Sequence, residues 1–594
     1  MYIKLIKKFC TESVPRTLLS WLNYENTLLV LIAGVLGITC GLLSVLFDWL
    51  YEICRKAFFA IPSGYFGEET NLYHYILIPL TPAIGGLIIG VLTWRFKMGE
   101  ESSSAAEVMK WAAVDGGKVK TRTVWFRTLA TSIFLGSGGS GGKEGPIAQI
   151  CGAMGSAFGQ MLKVSSDRLR LLVGCGAAAG IAAAFNAPIA GVIFTVELVL
   201  ADFNVVSFLP IVIASVMATT TKRLFLGDVP AFEAPSYSLV SHWEIGFYFI
   251  LGILCGLVAK VFFMAYFKAE DVFKDKVKVH PVLKPAIGGF LVGIIGVFFP
   301  QVFGGGYVFM NQMLNGDMIW TLALTLVAVK IVSTSISLGS GGSGGIFAPS
   351  LFIGCMTGGV FGYIINSIDP AHTASVGAYA MVGVGAVMAA VAHAPLTNIL
   401  MGYELTGNYQ IILPIMTACI MSTFVMTIFN KRSLYTEKLH RRGIDILHGR
   451  DMAVMDRISV DSVMRKGATT IPENLPFGKI MLLMTSSHDN YFPVVDVDSK
   501  LVGIISIQNI REIMLDSAEL CDLVVAKEIA TEDVITLKAN DNLNVAMAKF
   551  GIKDLEQLPV VSNDDSLRVI GMITRMDVIS AYKKAVIGVG TQEK

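Results

Sequence analysis

The octet LGSGGSGG at Leu135–Gly142 runs on into Lys143-Glu144-Gly145-Pro146. The same octet returns at Leu338–Gly345 and runs on into Ile346-Phe347-Ala348-Pro349. A second matched pair lies downstream. Asn186-Ala187-Pro188-Ile189 leads to Glu197-Leu198, and His393-Ala394-Pro395-Leu396 leads to Glu404-Leu405. The octets are offset by 203 positions and the second pair by 207, so a four-residue insertion reconciles them. Each glycine in a helix interior costs about 1 kcal/mol relative to alanine, so these runs break helices. Two matched apolar halves, each broken by glycine at the same place, form the pattern of a membrane transport repeat.

Composition sets the frame. The 594 residues are 53% hydrophobic and only 16% charged, where a soluble domain carries about 25%. Residues 26–50, 75–95, 205–221, 244–267, 283–303, 318–336 and 410–429 hold few or no ionisable side chains. Several of these approach the ~20 residues that cross a bilayer. After about residue 430 the composition turns soluble. The expected organisation is an N-terminal cytoplasmic segment (1–25), a transmembrane domain (26–430) with inverted repeats near 30–225 and 240–430, and a linker with a final pore helix (431–456). Two small domains follow, at 457–520 and 521–594. Lys4, Lys7 and Lys8 precede a polar stretch rather than an apolar run, which argues against a cleavable leader. Lys431, Arg432, Lys438, Arg441 and Arg442 follow the last apolar segment and place the tail in the cytoplasm. The basic N-terminus suggests the same side.

A net charge of +1 leaves no nucleic-acid footprint. The nine cysteines are scattered without a Cys-x-x-Cys, so neither a zinc site nor a disulfide framework is expected. Gly136-x-Gly138-x-x-Gly141 formally fits a dinucleotide fingerprint, but the stretch before it, Trp125 to Leu135, reads as helix rather than strand. A phosphate loop also fails, because Glu144 follows Lys143 where Ser or Thr is required.

Close packing of helices explains Gly176 to Ala184 well and two copies of SGGSGG poorly. Non-helical backbone at membrane depth survives only where it is buried in protein or lines a cavity. Each loop therefore ends one helix and starts another. The new helix presents unpaired N–H groups and a positive dipole end. Two such ends meeting near the midplane make an anion site without a full positive charge, which permits release as well as binding. Glu144 falls in the first turn of one of these helices. One reading is a charge that merely complements the dipole. The other is a gate: ionised it occupies the anion site, and protonated it swings away.

These residues resemble a known family. Gly142-Lys143-Glu144-Gly145-Pro146 resembles the GK/REGP motif of the CLC chloride channels and proton-coupled chloride transporters, and Gly345-Ile346-Phe347-Ala348-Pro349 resembles their GxFxP motif. Phe185-Asn186-Ala187-Pro188 and Leu434-Tyr435 match two further family positions. The resemblance covers roughly residues 30–440. It implies an all-α polytopic membrane domain with inverted repeats and about 18 helices of mixed length, assembled as a homodimer. It implies chloride transport, most simply proton-coupled exchange, with Glu144 as gating and proton-coupling residue. It implies anion contacts from Ser103, from the backbone at Gly145, Ile346 and Phe347, and from the Tyr435 hydroxyl. The alternative for Tyr435 is an interfacial aromatic anchor.

Two departures bear on these expectations. The family's GSGxPE motif falls on Ser102-Ser103-Ser104-Ala105-Ala106-Glu107, which lacks its glycines and proline. A serine run alone reads as a loop or cap. Many family exchangers carry two adjacent glutamates where this chain has Glu197-Leu198. The leucine favours the alternative of a passive gated channel of the same fold. Glu197, with its twin Glu404, reads as structural.

The tail carries a looser repeat. Tyr491-Phe492-Pro493-Val494-Val495 precedes Leu501-Val502-Gly503-Ile504-Ile505-Ser506, and Leu558-Pro559-Val560-Val561 precedes Val569-Ile570-Gly571-Met572-Ile573-Thr574. This resembles a pair of α/β cystathionine-β-synthase (CBS) domains. The resemblance implies an adenine nucleotide held at Thr574 and Asp577. The first copy offers Ser506 and Asn509, which lack the carboxylate, and a ligand-free dimerising module is the alternative. No convergent nucleophile, base or metal cluster marks the membrane half, so the chain does not read as an enzyme. The expected partners are chloride, protons, membrane lipid and a second copy, in the cell (inner) membrane with both termini cytoplasmic.

Overall fold

The computed structural model describes residues 25–59, 72–96, 105–203, 205–228, 232, 240–444, 446, 455, 458–487, 489–507, 509–510, 524–552, 555–563 and 567–588. The chain divides into two compact units, Met1–Leu447 and His448–Lys594.

The first unit is all helix. The first repeat holds α1 (Glu25–Phe59), α2 (Leu72–Arg95), α3 (Ala105–Ala113), α4 (Arg122–Gly136), α5 (Glu144–Met161), α6 (Ser166–Phe185), α7 (Pro188–Phe194, continued as a wider turn over Thr195–Leu200) and α8 (Val205–Leu226). The second holds α9 (Glu244–Asp271), α10 (Lys284–Phe298), α11 (Tyr307–Asn315), α12 (Trp320–Gly339), α13 (Phe347–Ile368), α14 (Val376–Ala392), α15 (Pro395–Thr406) and α16 (Ile412–Phe429), followed by α17 (Leu434–His440). Among the described residues, nine helical stretches are long and apolar enough to cross a membrane.

The repeats pack alike. Helix α1 lies on α8 as α9 lies on α16, α5 on α6 as α13 on α14, and α6 on α8 as α14 on α16. Helices α2 and α10, which are each other's counterparts, pack together. Their contact needs glycine: a Cβ on Gly86 would strike the Pro285 carbonyl, and one on Gly289 the Pro82 carbonyl; the two glycines are 203 positions apart, as are the two prolines.

The breaks obey local rules. Helix α4 ends and the chain takes a positive φ of 104° at Gly138; α12 ends and it takes 103° at Gly341. L-residues with a Cβ rarely adopt that conformation. Ser137 Oγ donates back to the Phe134 carbonyl (2.9 Å) and Ser340 Oγ to the Ser337 carbonyl (3.0 Å), which satisfies acceptors freed by the helix end. Helices α6 and α14 end on Asn186 and His393 in the left-handed region (φ 60° and 55°). Proline then opens α7 and α15, where its missing N–H costs nothing.

The second unit is α/β and also built twice. Strand β2 (Ile471–Pro472) runs parallel to β3 (Tyr491–Val495), which pairs antiparallel with β4 (Leu501–Ser506). Strand β5 (Leu537–Lys538) runs parallel to β6 (Gln557–Val561), which pairs antiparallel with β7 (Val569–Thr574). The register slips at the same place in both hairpins, Val494/Val495 and Val560/Val561. A short β1 (Arg465–Lys466) adds to β7. Helices α18 (Phe477–Ser486), α19 (Ala526–Ile529), α20 (Leu543–Ile552) and α21 (Arg575–Gly588) complete it. Each copy has its own apolar core, around Ile480 and Phe492 in one and Phe550 and Leu558 in the other.

Candidate functional site

The two glycine loops meet. The Gly142 N–H donates to the Gly345 carbonyl (2.7 Å) and the Gly345 N–H returns a bond to the Gly142 carbonyl (2.8 Å). The hydroxyls of Thr131 and Ser343 lie 3.0 Å apart, as do those of Ser140 and Thr334. Every partner in these contacts maps onto its counterpart by the same 203-residue offset, so the bridge lies on the pseudo-twofold axis between the repeats. Immediately beyond it start α5, at Glu144, and α13, at Phe347. Their first N–H groups have no carbonyl one turn back and carry the positive end of the helix dipole.

Glu144 is fully buried. Its Oε1 accepts a hydrogen bond from the Tyr307 hydroxyl, and the backbone N–H groups of Glu144 and Ala348 are turned to the carboxylate. A carboxylate from the first repeat therefore fills the N-terminal end of the second repeat's helix. Gly145 in α5 and Ile346 and Phe347 at the start of α13 are buried. The Phe347 ring packs against Phe185 and Phe194, with centroids 5.2 and 6.2 Å away. Tyr435 is buried in the first turn of α17, within reach of the Glu144 charge. Helix α17 is clamped to α9: Lys438 Nζ bonds the Tyr266 hydroxyl (2.5 Å), and Arg441 pairs with Asp271 (2.7 Å) over the Phe267 ring. Arg442 forms an ion pair with the fully buried Glu107 of α3. Ser103 lies outside the described residues.

Lys143, next to Glu144, is itself held in an ion pair. Its Nζ pairs with Asp48 of α1 at 2.7 Å, and Lys222 of α8 pairs with the same carboxylate at 2.8 Å.

At the other break the carboxylates are symmetric. Glu197 accepts from the Leu396 and Thr397 N–H groups (3.0 and 2.7 Å) and from the Thr397 hydroxyl (2.6 Å). Glu404 accepts from the Ile189 and Ala190 N–H groups (2.8 and 2.7 Å). Each glutamate caps the helix of the opposite repeat. Leu198, next to Glu197, is buried.

Sequence reasoning missed Tyr307, Asp48 and Lys222. A signal for Tyr307 existed: Gly304-Gly305-Gly306 precedes it, and the 203-residue offset maps Gly306-Tyr307 onto Ser103-Ser104. The contacts of Asp48 and Lys222 join separate helices and leave no local mark.

In the tail, Asp577 accepts from the Thr574 N–H (3.1 Å) and hydroxyl (2.7 Å), with Arg465 3.4 Å from its other oxygen. Asn509 accepts from the Ser506 N–H (2.9 Å) and hydroxyl (2.5 Å) in the same turn of the first copy.

Comparisons with known proteins show what the chain is similar to. The family model described as voltage gated chloride channel matches residues 85–427, and the CBS domain model matches residues 460–516 and 526–584. A ClcB-like chloride channel protein of Ralstonia nicotianae is 35% identical over 378 residues, covering 62% of this chain and 86% of its own. The H(+)/Cl(-) exchange transporter ClcA of Salmonella arizonae is 31% identical over 433 residues, covering 70% of this chain and 88% of its own. The crystal structure of a slow cyanobacterial Cl-/H+ antiporter superposes with a TM-score of 0.63 at 25% identity, covering 70% of this chain and 97% of its own.

Proposed function

The chain belongs to the voltage-gated chloride channel family, a family of transport proteins rather than enzymes, and from that membership we propose that it exchanges chloride for protons across a membrane with Glu144 as gate and proton acceptor. The observation that carries the proposal is the buried Glu144 carboxylate lying near the Ala348 N–H in the first turn of α13 and its own N–H at the start of α5. An ionised carboxylate there competes with chloride for the same donors. Protonation removes the charge that those donors hold and frees them for the anion. Anion contacts are assigned to the backbone at Gly145, Ile346 and Phe347, to the Tyr435 hydroxyl and to Ser103.

Purified protein in liposomes tests this. A chloride gradient should drive protons against their own gradient. Rapid chloride flux without proton movement would leave the second reading, a passive gated channel, which the buried Leu198 favours.

The protein is a multi-pass membrane protein with a C-terminal CBS pair. We propose the inner cell membrane with both termini in the cytoplasm, supported by the basic residues flanking the apolar segments. A homodimer is proposed from the family resemblance. The CBS copies are assigned to 457–520 and 521–594, after the linker 431–456. Adenine nucleotide is proposed at Thr574 and Asp577, whose Thr-x-x-Asp turn is formed. Calorimetry of ATP or AMP with the full chain should show binding that Asp577→Ala weakens; no heat with the unmodified chain would refute it.

A further inference from the structure

Tyr307 opens α11 directly after the Gly304-Gly305-Gly306 turn. That turn is fastened on two sides. Lys330 of α12, fully buried, donates to the carbonyls of Val302 and Gly304, each at 2.8 Å, and its ammonium lies 5.0 Å from the centre of the Phe352 ring. The Gly304 N–H donates to the Gly139 carbonyl (3.2 Å) and its carbonyl accepts from the Gly141 N–H (3.4 Å). The turn is thus tied to the first glycine loop, a few residues ahead of Glu144. From this frame the Tyr307 hydroxyl reaches Glu144 Oε1, while its ring stacks on Phe232 at 6.2 Å and 22°.

A lysine committed to two backbone carbonyls in an apolar interior is an expensive feature unless the loop it holds must keep one position. The side chain that follows directly on this fastened turn is Tyr307, and it meets the Glu144 carboxylate at the helix ends. A hydrogen bond to an ionised acceptor is roughly twice as strong as one to a neutral acceptor. A fixed phenol therefore distinguishes the two protonation states of Glu144.

We propose that Tyr307 is a positioning residue that latches the ionised Glu144 carboxylate in the blocking position and lets it go on protonation. The proposal rests on the reading of Glu144 as the gate. Other charged and titratable groups surround the pair: Lys143 beside Glu144, Lys222 on α8, Asp48 and Tyr51 on α1, and Tyr435 on α17. Asp48 neutralises part of the lysine charge, and neither lysine hydrogen-bonds the carboxylate among the described contacts.

The experiment is the pH profile of chloride flux through the full-length protein in liposomes. Tyr307→Phe removes only the hydroxyl. It should move the midpoint of the profile upward by about one pH unit, a tenfold change in proton concentration. Position 307 carrying 3-fluorotyrosine, a stronger donor of nearly the same size, should move the midpoint downward; this arm stands even if Tyr307→Phe fails to assemble. In a Glu144→Ala background Tyr307→Phe should change flux less than about twofold, since the latch has nothing to hold. An unmoved midpoint in both position-307 variants overturns the proposal. So does an equal proportional loss of flux with and without Glu144, which is the mark of a packing role. If Glu144→Ala itself keeps the unmodified profile, the reading of Glu144 fails. If Glu144→Ala flattens the profile and the position-307 variants do not shift it, the latch alone fails.

Discussion

The two repeats of the membrane domain share one backbone and differ at one decisive side chain. Where the first repeat starts its helix on Glu144, the second starts on Phe347. Nearly everything around this difference is matched: the glycine conformations, the Gly142–Gly345 exchange, the two hydroxyl pairs, and the glutamate caps at the other break. The matched contacts build a scaffold that brings two helix ends together. In the proposed function the unmatched residue is what makes that scaffold respond to protons. A group with a twin in the same role reads as structural; a group without one reads as chemistry.

The largest expected effect breaks the asymmetry. Glu144→Ala or Glu144→Gln removes the titrating anion, so proton movement should disappear and chloride flux should lose its dependence on pH. Proton transport surviving in either variant would show that the asymmetry lies elsewhere.

The symmetric carboxylates should behave as a pair. Glu197→Gln and Glu404→Gln each weaken a charge-assisted cap on the opposite repeat. Each should lower the stability of the detergent-solubilised protein by about 2 kcal/mol, as read by thermal unfolding. Proton-to-chloride stoichiometry should hold in both. If Glu197→Gln uncouples transport and Glu404→Gln does not, Glu197 has a transport role that its twin lacks.

The smallest effect belongs to the hydroxyl pairs. Thr131→Val and Thr334→Val each remove one neutral hydrogen bond at equivalent places, worth about 1 kcal/mol. Their thermal shifts should match within a few tenths of a kcal/mol. A large disparity would show that the environments of the axis are less alike than their geometry.

Much of this was legible in the sequence because glycine and proline carry backbone information locally. The LGSGGSGG octets marked the loops, Asn-Ala-Pro and His-Ala-Pro marked matched positions in the two repeats, and short valine- and isoleucine-rich runs marked the tail hairpins. Glu144, Gly145, Ile346, Phe347 and Tyr435 followed from motif resemblance, and the structure buries all five at the starts of α5, α13 and α17. The rest needed three dimensions. That Glu197 caps the helix bearing Leu396 cannot be read from residues 199 positions apart. Nor does Lys143 announce that it pairs with Asp48, 95 positions earlier, rather than facing the helix ends. Tyr307 was missed although Gly304-Gly305-Gly306 marks a break before it, because its contact with Glu144 joins residues 163 positions apart.

The most direct test is anomalous scattering from bromide in crystals of the Glu144→Ala protein. With the carboxylate gone, a bromide should bind within hydrogen-bond distance of the N–H groups at the start of α13, at the place the Glu144 oxygens now occupy. Bromide absent from that position, with well-ordered helix ends, would contradict the account.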